Sequence, residues 1–270
     1  MDQPSPFIPV GALADAFASE NNCLPRSAAL SGRSLQLQFE DGSSIDLNFL
    51  DADGLAWKTT QNAGHAQYLA TEPRPGVFFV DYVDTPGKPH CTSLVLDLAQ
   101  NIVTCISGTL PTQGDTAIPV LQLIAQGLEL TRVEAVVRHG AIGHPCSAAT
   151  PRHAPTRELI GRRVRYTYSP TELYEHIYLN DHFYCWQCLK GAERGLADTD
   201  RCHYYKLADR LYLFIWREKI VPTLGIVVVD LEQLRTTGKI FGYQGEHFHA
   251  LSNFPVGAIA REIQAVPRHD

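Results

Sequence analysis

Two stretches of this chain can be laid over each other without a gap. "LSGRSLQLQFEDGSSIDLNFLDADGLAWKT" and "LIGRRVRYTYSPTELYEHIYLNDHFYCWQC" place Gly32 on Gly161, Arg33 on Arg162, Phe39 on Tyr168 and Trp57 on Trp186, at a constant offset of 129 (161 − 32 and 186 − 57). Downstream, "GVFFVDYVD" overlies "RLYLFIWRE", and "SLVLDL" matches "IVVVDL" with Asp97 over Asp230. The offset there drifts to 134 (210 − 76) and then 133 (230 − 97), as insertions in hairpin loops would make it. A chain that repeats itself once, at this length, folds as two related domains.

Each half is mostly strand. Runs of five to nine residues, rich in β-branched and aromatic side chains, are separated by turn signals such as "EDGS", "DADG" and "TPGKP". Serial antiparallel hairpins in units of this size favour up-and-down barrels of the lipocalin type, because closure removes exposed edges. The expected architecture is mainly β: two tandem lipocalin-like (calycin) barrels with a few short helices. The expected boundaries are a leader with a short helix at 1–25, an N-terminal barrel at 26–142, a linker at 143–156 and a C-terminal barrel at 157–270. "GALADAFAS" and "AIPVLQLIAQGLEL" carry helical spacing, with Pro119 suited to a first turn.

Composition narrows the class. With 270 residues, 44% hydrophobic and 19% charged, the chain is globular. A net charge of −6 speaks against nucleic acid as a partner. No run approaches a membrane span, and the first residues lack a secretory signal, so a cytoplasmic protein without a membrane partner is expected. A homo-oligomer is compatible with the sequence. Seven cysteines do not suit a disulfide framework.

Several strings, among them "FIPVGALADAF", "TEPRPGVFFVDY", "LADTDRCHYYKLAD" and "WREKIVPTLGIVVVDLEQLRTTGKIFGY", resemble the MoaF family, proteins labelled molybdenum cofactor biosynthesis protein F. The resemblance extends over nearly the whole chain and implies paired calycin-like domains. It brings no catalytic motif that could be carried over residue by residue. A part in molybdenum cofactor biosynthesis is what the label implies.

The repeat also points to a site. Ile45, Leu47 and Phe49 form an apolar inward face in the N-terminal half, and the matching positions are Tyr174, His176 and Tyr178. Trp186, Tyr212 and Trp216 add to that face, and alternation sends Glu218 inward with Trp216. In "DRCHYYKL" either face could join the pocket, and His203 with Tyr205 is the preferred pair. Buried hydroxyls and imidazoles need partners, water or a ligand. The expected site is therefore a cavity in the C-terminal barrel that takes a small aromatic or conjugated molecule. His176, Glu218 and Tyr178 are its acid/base candidates, and Tyr174, Trp186, His203, Tyr205, Tyr212 and Trp216 its binding candidates.

No metal is expected. Cys185 and Cys188 lie three apart in a strand pattern and so face opposite ways, and His247 with His249 supplies only two ligands. His139, His144 and His153 flank the linker and are expected in solvent. Without a nucleotide, zinc-peptidase or hydrolase motif, no cofactor is expected. The functions left open are a cofactor-independent lyase, isomerase or hydratase, a non-catalytic carrier, and the cofactor-biosynthesis role of the label.

Overall fold

The computed structural model describes residues 6–18, 20–84 and 89–263. They form two compact units. One comprises Leu24–Thr109 and Ala135–Ala154; the other comprises Met1–Cys23, Leu110–Glu134 and Pro155–Asp270.

The first unit is built around a closed antiparallel barrel of β1 (Ser34–Phe39), β2 (Ser44–Phe49), β3 (Gly54–Thr59), β4 (Ala63–Arg74), β5 (Val77–Tyr82), β6 (His90–Asp97), β7 (Ile102–Thr109) and β8 (Glu134–Ile142). Each strand pairs with the next, and β1 closes onto β8 through Leu37 and Ile142. Alternation puts Ile45, Leu47 and Phe49 inside with Phe78, Val80 and Tyr82. This interior is apolar, as its sequence pattern requires.

The short β9 (Ala154–Pro155) precedes the second barrel, which consists of β10 (Arg163–Thr167), β11 (Leu173–Tyr178), β12 (Phe183–Lys190), β13 (Ala197–Ala208), β14 (Leu211–Glu218), β15 (Thr223–Asp230), β16 (Arg235–Tyr243) and β17 (Leu251–Ile263). Pairing of β10 with β17 and of β12 with β13 completes the ring. The internal repeat survives as backbone detail. Gly32 and Gly161 adopt φ +74° and +83°, and their amides donate to Phe49 O at 2.7 Å and Tyr178 O at 2.8 Å. Asn101 and Leu234, also matched, both sit at left-handed φ, 55° and 54°. One carboxylate oxygen of Asp97 accepts from the amides of Ala99 and Gln100, and one of Asp230 accepts from those of Glu232 and Gln233. These turns need the same geometry in both halves, which is why the sequence kept them aligned.

The division of the chain differs from that expected from sequence. The leader and residues 110–134 group with the C-terminal barrel. In the leader, α1 (Val10–Ala18) lies against β16 and β17. Gly11 and Gly242 permit this approach, since a Cβ at either would strike Gln244 or Val10. Phe17 inserts its ring between Tyr168 at 4.7 Å, Tyr174 at 5.7 Å and Phe254 at 6.1 Å. Residues 110–134, with α2 (Gln113–Thr116) and α3 (Val120–Ala125), are tied to the same barrel by Thr131 Oγ1 donating to Glu218 O at 2.9 Å and Tyr243 OH donating to Pro111 O at 2.7 Å. Pro119 serves as N-cap of α3. Among the described residues no helix is long and apolar enough to cross a membrane.

Phe17 is buried, so Phe17→Ala is expected to destabilise the chain by about 3 kcal/mol in urea unfolding. A loss of less than about 1 kcal/mol would show that the helix contributes no docked side chain.

Candidate functional site

In the second barrel β11 is bordered by β10 and β12, with His176 opposite Val164 on one side and Trp186 on the other. Strand alternation sends Tyr174, His176 and Tyr178 inward, while the intervening Glu175 faces away and holds Arg163 at 2.6 Å and Arg165 at 2.8 Å. His176 is 5% exposed and is surrounded by rings: Tyr166 at 4.8 Å, Tyr184 at 5.2 Å, Phe214 at 5.9 Å, Trp216 at 6.1 Å and Tyr178 at 6.3 Å. Its Nδ1 is buried and has no hydrogen-bond partner among the described residues. Burial alone holds its pKa down to about 3, so at neutral pH the ring is uncharged.

His176 lines a small void of about 30 Å³, room for about two waters. Tyr168, Tyr174, Tyr184, Trp186 and Trp216 share the lining, together with Glu193, Glu218, Ile240, and Leu13 and Phe17 of α1. The helix thus occupies part of the space that a larger cavity would have offered. The two tryptophans are fixed by carboxyl groups: Trp216 Nε1 donates to Glu218 Oε1 at 2.8 Å, and Trp186 Nε1 to Asp200 Oδ2 at 3.0 Å. Tyr174 OH donates to Glu193 Oε2 at 3.1 Å.

These carboxyls are pushed toward their protonated form. Burial raises Glu218 well above the usual range, and the Asp200 charge adds to it. Burial likewise raises Glu193, as well as Asp200 despite the Lys219 ammonium 3.3 Å away. Glu172 is pushed up by burial to about 6. One small chamber therefore presents an imidazole that is neutral at neutral pH beside two carboxyls, Glu193 and Glu218, that burial biases toward the protonated form. That is an arrangement able to donate a proton at one point and accept one at another.

The structure brings together five of the nine residues singled out from sequence: Tyr174, His176, Trp186, Trp216 and Glu218 all line the void. Tyr178 lies beside it, its hydroxyl 2.6 Å from that of Tyr166. Tyr212 is inside the barrel, but its hydroxyl donates to Glu158 at 2.7 Å, away from the void. His203 and Tyr205 fall on the outer face, a correction to the preferred phase of β13. Cys202 and Tyr204 are the buried pair, set opposite the inward Trp216 and Phe214 across β14. His176 and Glu218 do not bond each other; both face the void.

Sequence reasoning missed Glu193, Tyr168, Tyr184 and the two α1 side chains. Tyr184 was legible, because it shares the phase of Trp186 on β12. Glu193 lies in the β12–β13 turn, where alternation gives no guide. His153 was expected in solvent and is instead 2% exposed, with its Nδ1 2.8 Å from Thr104 Oγ1. A larger groove of about 640 Å³ runs along β1–β4 of the other barrel, lined by Trp57, Lys58 and His65 and broadly open to solvent. Its lining mixes both faces of the sheet, and it gathers no buried acid/base pair.

Comparison with known proteins places these features in a family context. Residues 5–112 match the model of the MoaF N-terminal domain and residues 153–266 that of the MoaF C-terminal domain. A relative described as Protein MoaF, from Klebsiella aerogenes, is 45% identical over 271 residues, covering 100% of this chain and 99% of its own length. A solved structure described as a "putative beta-lactamase" from Burkholderia vietnamiensis is 14% identical and covers 40% of this chain and 100% of its own, with a TM-score of 0.35. Likeness at that level carries neither fold nor function across.

The buried imidazoles set a pH dependence. His176 is held down to about 3 and His153 to about 4, each by burial, whereas an unfolded His titrates near 6.5. The unfolded chain binds those protons more tightly, so the stability they contribute is complete above about pH 6.5 and is lost as pH falls. The raised carboxyls act oppositely, losing their contribution as pH rises above the unfolded range near 4. In urea unfolding, His176→Phe should remove roughly 3 kcal/mol of the wild type's loss of stability between about pH 7 and about pH 4. Parallel losses in the two proteins would mean that the imidazole is solvated or charged.

Proposed function

The chain belongs to the MoaF family, and on that footing we propose that its C-terminal barrel is a binding chamber in which a small aromatic or conjugated molecule undergoes proton transfer. The observation that carries this reading is the shared void, faced by Glu218, Glu193 and an imidazole whose Nδ1 has no partner. Unpartnered polar groups cost on the order of 1 to 3 kcal/mol each, and a ligand is one way to recover that energy. The flat rings of Tyr184, Trp186 and Trp216 supply the walls such a molecule would stack against.

In this reading the neutral His176 takes a proton from the bound molecule and a carboxyl of the chamber that keeps its proton returns one elsewhere on it. That is the elementary act of an isomerase, and of a lyase or hydratase when a group leaves or water adds. Tyr166 and Tyr178 stand behind His176 and keep its ring in place. Since the void holds about two waters, entry of a substrate requires Phe17 and Leu13 to give way. The protein would work as a cytoplasmic small-molecule enzyme.

A second reading follows from the family label, a part in molybdenum cofactor biosynthesis, and makes pterins candidates for the same chamber. A carrier would use the same walls without turnover.

Thermal shifts against phenolics, conjugated acids and pterins are expected to reveal a ligand that raises the melting temperature of the wild type and leaves that of His176→Ala unchanged. With that ligand, Glu218→Gln should lower kcat/KM by about a hundredfold or more. Loss of affinity without turnover at any pH would mark a carrier. No ligand at all, with His176→Ala melting much earlier, would make the face a packed core.

A further inference from the structure

We propose that the molecule taken into this chamber carries a protonated amine, with the ammonium group held between the aromatic faces and the carboxyls of Glu193 and Glu218. The proposal rests on the reading of the void as a binding site and names the charge of what enters it. Three features of the lining agree on that charge. Ring faces attract cations, the more strongly when desolvated, and Tyr168, Tyr184, Trp186 and Trp216 all border the space. The lining holds two carboxyls: Glu218, whose Oε1 accepts from Trp216 and leaves the other oxygen for a further donor, and Glu193, which accepts from Tyr174 and from the Ile8 amide. The lining contains no Lys or Arg. Its one basic side chain, His176, is kept neutral by burial in the empty chamber, and in the tautomer that carries its hydrogen on Nε2 the unpartnered Nδ1 accepts a hydrogen bond, which suits an N–H donor.

An anionic ligand would meet the opposite conditions: carboxyls, the negative faces of rings and no counter-charge. The nearest ammonium, Lys219, is already held by Asp198 at 2.5 Å and Asp200 at 3.3 Å. The dimensions fit as well. A void of about 30 Å³ accepts a head group the size of one or two waters, and the ring of Phe17, lying against Tyr168 and Tyr174, marks where an aryl body would replace it.

The proton balance is explicit. A carboxyl that is neutral in the empty chamber ionises when the cation arrives, its proton passes to solvent, and the ammonium–carboxylate pair that remains is neutral. The groups facing Glu218 are Trp216 beside it on β14, Asp198 and Asp200 on β13, Glu193 in the turn after β12, Tyr184 on β12, Tyr168 after β10, His176 on β11 and Lys219 just beyond β14. Of these only Lys219 is cationic, and the aspartates already engage it.

The test is calorimetry on the full chain with three series of matched shape: arylalkylamines, arylalkanols and arylalkanoic acids. The amines should bind about tenfold or more tighter than the alcohols, with release of a proton measured in buffers of different ionisation enthalpy, and the acids should not bind. Glu218→Gln, which keeps an acceptor for Trp216, should weaken the amine about tenfold and abolish proton release. Alcohols or acids that bind as tightly as the amines, with binding lost in His176→Ala, would overturn the charge assignment while the chamber stands. No binding by any series to the wild type or to Phe17→Ala, whose void is enlarged, would overturn both readings. Should Glu218→Gln fail to fold, Glu193→Gln and the three series on the wild type decide the matter.

Discussion

A closed antiparallel barrel gives every second side chain no route to water, and that constraint decides the chemistry of this protein. In the N-terminal barrel the inward positions are mostly Leu, Ile, Phe and Val, with Tyr68 and Tyr82 among them, and closure buries them. In the C-terminal barrel the same positions hold tyrosine, histidine, tryptophan and glutamate. Dryness that is neutral for Leu47 strips the proton from His176 and drives one onto Glu218. The acid/base state of the chamber is thus a consequence of topology acting on side-chain type.

The repeat explains how such an interior can be tolerated. The turns that define the barrel, at Gly32 and Gly161 or at Asp97 and Asp230, are shared, so one half sets the standard against which the other has diverged. Divergence on the inward face is what changes the chemistry of the interior. The tryptophans at the mouth are each tied to a carboxyl, and Tyr166 and Tyr178 satisfy each other, so few polar atoms are left without partners. Of the buried side-chain atoms without a partner among the described residues, His176 Nδ1 is the one that belongs to the lining of the void.

Much of this was legible in the sequence because strand alternation is a local rule. The period of two placed Tyr174, His176, Trp216 and Glu218 on the inside, and the constant offset exposed their apolar twins. Alternation also has a phase, and on β13 the sequence "DRCHYYKL" offers aromatic or imidazole groups on both faces, so His203 and Tyr205 were preferred where Cys202 and Tyr204 turn inward. Long-range docking is less accessible still. That α1 would insert Phe17, that residues 110–134 would join the C-terminal unit, and that Glu193 would reach the void from a turn depend on tertiary contacts with no periodic signature. Strand alternation likewise gives no sign that α1, remote in sequence, fills part of the chamber.

The most direct test of the account is a carboxyl-carbon NMR titration of the glutamate-labelled protein, with Glu218→Gln and Glu193→Gln to assign the resonances. The account predicts that Glu218 stays protonated well above the pH at which exposed glutamates ionise, near 4.3, that Glu193 ionises later than they do, and that the His176 ring is neutral at neutral pH. Ordinary titration of Glu218 and Glu193 alongside the exposed glutamates would contradict it, because the chamber would then be wet and its acid/base pair no different from surface groups.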